Sequence, residues 1–247
     1  MSGMRERTPE GAGTHYVVAT LRPWHVAEFH AVTPAFPGHW HLVTDPAGLT
    51  AEALDALAPR YVFFPHWSDK VPAGLLERYE CVCFHETDVP YGRGGSPIQN
   101  LIVRGHTETV VTALRMIGDF DAGPVYDKRP LSLLGGAEEI YLRAARTVFA
   151  MIADIAAAEP VPVPQTGTPT VFARRTPAQS AVPERPDTLQ TVFDHIRMLD
   201  APGYPPAFIE CGGLRLELSR PVLRTGRIEA DVTITLAADA GADEPEG

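Results

Sequence analysis

Apolar runs of strand length alternate with short helical segments through the first 90 residues, and this alternation restricts the fold more than any other feature. The runs are 15–21 (HYVVATL), 40–44, 60–66 (RYVFFPH) and 80–86 (ECVCFHE). Between them lie PWHVAEFHAV (23–32), opened by Pro23, then AEALDALA behind the cap residue Thr50, and VPAGLLERY. A chain that alternates in this way builds an open, Rossmann-like α/β sheet of the doubly wound kind. Ligands of such sheets gather beyond the carboxyl ends of the strands, so the segments after Phe64 and Phe84 are the expected site.

The pattern changes from Gly135. Residues 135–159 place Tyr141, Ala145, Val148, Ile152 and Ile155 at three- and four-residue spacing, the mark of a long amphipathic helix. Seven prolines then fall within 159–186, which reads as an extended arm. Asp187 is the expected cap of a second helix carrying Leu189, Val192, Phe193, Ile196 and Leu199 on one face. The remainder reads as β, with a Gly212-Gly213 turn and a loop at RTGR. The expected plan is a leader (1–14), a core (15–158), the arm (159–186), a small helix-plus-β-hairpin appendage (187–236) and an acidic tail (237–247).

Composition removes several function classes. The 247 residues carry 31 acidic and 21 basic side chains, a net charge of −10, which argues against a broad nucleic-acid footprint. No apolar run reaches the roughly 20 residues of a membrane span. The N-terminus has no apolar signal segment, and three cysteines cannot build a disulfide framework, so a reducing cytoplasm is the expected location and no membrane partner is expected. The histidines lack metal-ligand spacing, and no metal is expected.

Chemistry concentrates in 81–126. His85 lies just past a buried strand and is followed by the glycine-rich turn GRGGSP. A second apolar strand, TVVTALRMI, ends in the acidic loop GDFDAG. If the two strands are parallel neighbours, His85 and Asp121 meet at their carboxyl ends, and a histidine oriented by a carboxylate is the minimum equipment for general acid–base work. By itself this pattern also fits a structural histidine at a strand end.

The same stretch resembles the catalytic core of the folate-dependent formyltransferases, the group that includes methionyl-tRNA formyltransferase, glycinamide ribonucleotide transformylase and the sugar N-formyltransferases. The resemblance is carried by Cys83-Phe84-His85, Pro90, Arg93-Gly94, Pro97-Ile98-Gln99, the strand GHTETVVTALRM and Asp121-Ala122-Gly123. It implies transfer of a formyl group from 10-formyltetrahydrofolate to an amine through a tetrahedral oxyanion. His85 would then stabilise the oxyanion and shuttle protons, with Asp121 orienting it and acting as base. The resemblance further implies a folate pocket formed by Trp67, Ser68, Asp69, Lys70 and Val71, by Thr87, Asp88, Val89 and Pro90, and by Ile117, Gly118, Asp119 and Phe120.

One position departs from the family pattern, because Cys83 stands where the family carries an asparagine. A thiol is a weak hydrogen-bond donor. Three readings stay open: Cys83 serves as a poorer oxyanion donor or is supplemented from the Ser96 loop, it is filler in a folate-binding protein without turnover, or it is a nucleophile. The weak match of the C-terminal segment, with its acidic tail, disfavours transfer RNA as acceptor. A nucleotide-linked amino sugar is the first expectation, and an N-hydroxyornithine-type amino acid the second. The appendage or a sheet edge offers a route to a homodimer.

Overall fold

The computed structural model describes residues 13–237, so nearly all of the expected leader and tail lie outside the described residues. The strands are β1 (His15–Ala19), β2 (His39–Val43), β3 (Tyr61–Pro65), β4 (Cys81–His85), β5 (Tyr91–Gly94), β6 (Glu108–Arg115), β7 (Val125–Ser132), β8 (Thr170–Phe172), β9 (Ala207–Cys211), β10 (Leu214–Arg224) and β11 (Arg227–Leu236). The α-helices are α1 (Pro23–Val32), α2 (Ala51–Leu57), α3 (Ala73–Arg78), α4 (Pro97–Val103), α5 (Ala137–Ala158) and α6 (Leu189–Arg197).

A six-stranded sheet in the order β2-β1-β3-β4-β6-β7 carries the fold. β1 pairs in parallel with β2 and β3, and β3 with β4, as the strand–helix alternation requires. β3 is buried at all five positions, the signature of a central strand covered on both faces. Val17, Ala19, Val62 and Phe64 pack with Leu54 of α2 and Leu75 of α3 into one apolar cluster. His15 Nδ1, at the start of β1, lies 2.8 Å from Nε2 of His41 in the middle of β2, so these imidazoles bond one another rather than water alone.

The chain forms two compact units. The first comprises residues up to His85, Thr112–Lys128 and Ala145–Gln165. The second comprises Glu86–Val111, Arg129–Ala144 and the chain from Thr166 onward. In the second unit β8, inside the proline-rich stretch, pairs in parallel with β5, and Phe172 is buried. The glycine-rich turn is thus a short strand followed by α4. Ser96 stands at its N-cap with φ +50°, and Asn100 Nδ2 bonds the carbonyl oxygens of Gly95, Ser96 and Ala173.

The cap of α6 is Thr188, not Asp187. Thr188 Oγ1 accepts from the Thr191 N–H at 3.1 Å, the reach an N-cap side chain has to the third helical residue. β9, β10 and β11 form a separate antiparallel sheet, with Gly212 and Gly213 both at positive φ in a tight hairpin turn. β10 passes Pro221 through a bulge between Ser219 and Val222.

Candidate active site

β4 sets the first side of the site. Positions i and i+2 of a strand share a face, so Cys83 and His85 point the same way. His85 is buried at the end of the strand, while Cys83 is half-buried and faces a cavity. Cys81, one pleat earlier, is fully enclosed, and burial pushes its thiol up to about 12, which makes it inert at neutral pH.

Asp121 arrives by a different route from the one the sequence suggests. β6 runs antiparallel to β4, with Thr112 opposite His85 and Arg115 opposite Val82. The carboxyl end of β6 therefore lies at the amino end of β4, far along the sheet from His85. The loop 116–123 doubles back over that distance, since six residues span the roughly 10 Å that separates three strand positions. Asp121 sits in it with φ +51°, and its Oδ2 comes within 3.7 Å of His85 Nδ1. This separation brings the two groups close but exceeds a direct hydrogen bond between those two atoms. Catalytic contacts of this kind commonly tighten when substrate excludes water.

Two features fix the returning loop. Gly123 lies so close to β6 that a Cβ built there would collide with the Arg115 carbonyl oxygen, so only glycine fits. Gln165 Nε2 donates to the Asp121 carbonyl at 2.7 Å and to that of Gly123 at 2.8 Å. Gln165 was not among the expected site residues. Its only sequence signal is a lone amide within PVPVPQTG, which no spacing argument singles out.

Cavity walls come from the same unit. Phe64, Trp67, Val71, Cys83, Leu114 and the stretch 115–121 enclose about 220 Å³. Of the expected pocket residues, Trp67, Ser68, Asp69, Lys70, Val71, Ile117, Gly118, Asp119 and Phe120 line it together with Asp121. Trp67 rests edge-on against Phe64, and its indole N–H is buried with no acceptor among the described residues. An orphaned donor on a cavity wall is what a polar heterocyclic ligand would satisfy. The other expected residues lie elsewhere. Thr87, Asp88, Val89 and Pro90 belong to the second unit and do not line the cavity. There Thr87 Oγ1 donates to the Gly92 carbonyl, and the Pro90 carbonyl accepts from Thr170. Among the described residues no cluster of three or more His, Cys, Asp or Glu side chains is arranged to hold a metal ion. No helix among them is long and apolar enough to cross a membrane.

Comparison with known proteins places this geometry in context. The family model for the methionyl-tRNA formyltransferase C-terminal domain matches residues 177–235. A solved structure of methionyl-tRNA formyltransferase from Clostridium thermocellum is 41% identical, with a TM-score of 0.87, over 91% of this chain and 100% of that one. The methionyl-tRNA formyltransferase of a Nitratiruptor species is 34% identical over 74 residues, 30% of this chain and 24% of that protein, so the match spans about a quarter of the curated relative. A sugar N-formyltransferase from Shewanella sp. FDAARGOS_354 shares the fold at 15% identity and a TM-score of 0.66, over 85% of this chain and 99% of that one.

Proposed function

Because this chain belongs to the folate-dependent formyltransferase family, we propose that it moves the formyl group of 10-formyltetrahydrofolate to the amine of a small molecule, a nucleotide-linked amino sugar in first place. The observation that carries this reading is the pairing of His85 with Asp121 at 3.7 Å, with Asp121 and Cys83 both on the wall of one cavity.

The residues present fit a folate donor. Trp67 and Phe64 supply flat apolar surface, the orphaned Trp67 N–H awaits an acceptor, and residues 117–120 line the same cavity. A folate bound there would supply the formyl carbon that the amine attacks and would leave as tetrahydrofolate, its N10 taking up one proton. Asp121 holds the imidazole and takes up the proton that the attacking ammonium must lose. His85 donates to the charge that develops on the formyl oxygen. Cys83, on the same face of β4, offers a weak second donor where the family offers an amide.

A transfer-RNA acceptor is the second reading, favoured by the match of 177–235 to the C-terminal domain of the transfer-RNA enzymes. The charges of that region speak against it. Arg215 pairs with Glu210 and Glu217, Arg220 with Asp231, and Arg224 and Arg227 both with Glu229. These four arginines are matched by four carboxylates, so the group presents no net positive charge to a phosphate backbone. The test is product formation, read by mass spectrometry, with 10-formyltetrahydrofolate and three acceptors: a nucleotide-linked amino sugar, N-hydroxyornithine and methionyl-tRNA. Formylated amino sugar is the expected product. Formylated methionyl-tRNA would overturn the acceptor assignment, and folate binding without any product would overturn the enzymatic reading.

A further inference from the structure

β2 is an edge strand of the six-stranded sheet, and among the described residues β1 is its only neighbour. The register of the pair sets His15 opposite His39, and His41 lies two residues further along β2. The three imidazoles therefore share one face of the sheet. The other face carries Tyr16 and Trp40, whose rings stack at 4.5 Å. On the imidazole face His15 and His41 are half-buried and His39 is exposed. His15 Nδ1 and His41 Nε2 stand 2.8 Å apart, while the His39 ring lies 4.9 Å from that of His15. His15 and His41 are 26 positions apart in sequence, so no ligand spacing marks them as a pair.

We propose that His15 and His41 form a two-imidazole site for a divalent transition ion, copper or nickel before zinc, that ties the edge strand β2 to β1. Donor chemistry selects the class of ion. Neutral imidazoles suit Cu²⁺, Ni²⁺ and Zn²⁺, whereas Mg²⁺ and Ca²⁺ require oxygen ligands. Burial, then the charges of His15 and His39, hold the His41 imidazole below its ordinary range, and among the described residues no carboxylate acts against them. The ring is thus neutral near pH 7, as a ligand must be. Separation selects the geometry. Two nitrogens at bonds of about 2.0 Å stand about 2.8 Å apart when they meet the ion at a right angle, and about 3.3 Å apart at a tetrahedral ion. The observed 2.8 Å is the right-angled spacing of square-planar and octahedral ions. On binding, the ring that donates the shared N–H carries its proton on the outer nitrogen instead, and both rings tilt until their lone pairs converge. Both rings stay neutral, so no proton or electron is left over. Water completes the coordination, since two imidazoles converge and no three-ligand cluster exists among the described residues.

The experiment is isothermal titration of the full chain with nickel chloride near neutral pH, repeated with His15→Gln, His41→Gln and, as a control, the exposed His30→Gln. The wild type is expected to bind one Ni²⁺ in the micromolar range. His15→Gln and His41→Gln are expected to lose at least about tenfold in affinity, and His30→Gln to bind like the wild type. Because the ion joins two strands of the folded chain, Ni²⁺ is also expected to raise the melting temperature of the wild type and not that of His41→Gln. Wild-type binding weaker than about 1 mM, or equal affinity in His41→Gln, overturns the proposal. If a glutamine variant does not fold, the wild type decides the matter by nuclear magnetic resonance. Trace Cu²⁺ must broaden the amide signals of 15–16 and 40–42 first, and broadening that begins elsewhere overturns the site.

Discussion

At His85 the side chain is enclosed by its own strand and by the returning Asp121 loop, so each partner's role is separable by substitution. Replacing His85 or Asp121 with alanine is expected to lower formyl transfer by about 10²–10⁴, the usual worth of a positioned acid or base, with circular dichroism unchanged. Retention of a tenth of the activity in either variant contradicts the assigned roles. Cys83→Asn restores an amide donor and is expected to preserve or raise kcat. Loss of activity in a folded variant would give the thiol a direct role.

His25 offers an independent check on the interior. Burial, reinforced by the nearby Arg22 charge, lowers its imidazole to about 3, so the ring is neutral in the folded protein. The unfolded chain binds this proton near pH 6.5, and stability is therefore lost as pH falls from about 6.5 toward 3. Thermal melting from pH 7 to pH 4 is expected to show a smaller decline for His25→Leu than for the wild type. At this scale the nearness of His85 to Asp121 and the place of Trp67 beside a cavity were legible, because strand ends and family offsets mark these positions. Gln165 was not, because it acts through main-chain carbonyls 42 and 44 residues away.

Among the elements, the loop 116–123 connects fold to chemistry. The strand–helix alternation made β1 to β4 legible, since parallel strands covered on both faces write continuous apolar runs. It did not give the direction of β6, because an apolar run of that length reads the same either way. Nor did it show β5 and β8, whose pairing depends on residues about 80 positions apart. Gly123→Ala drives a Cβ into the β6 backbone and is expected to cost about 1–3 kcal/mol, read by urea denaturation, and to weaken folate binding. Unchanged stability would mean that the loop is not clamped to β6. Gln165→Ala removes two bonds to the loop, each worth about 0.5–1.5 kcal/mol. Its kcat should fall while most of the fold stability remains.

Over the whole molecule, the charge balance and the self-neutralised arginines of the C-terminal sheet set the expected partners. With a net charge of −10, the chain is expected to show no retention of methionyl-tRNA on a filter at about 150 mM salt, where unpaired basic patches would still hold phosphate. Of the residues that the resemblance assigns to a folate pocket, Trp67 to Val71 and 117–120 line the cavity beside Cys83, and Thr87 to Pro90 lie in the second unit. The most direct measurement is a titration of the wild-type protein with 5-formyltetrahydrofolate, a stable analogue of the donor, followed by tryptophan fluorescence and repeated with Trp67→Phe. Saturable micromolar binding, with the fluorescence change lost in Trp67→Phe, is the expected result. No binding at millimolar ligand would contradict a folate-dependent transferase at this site.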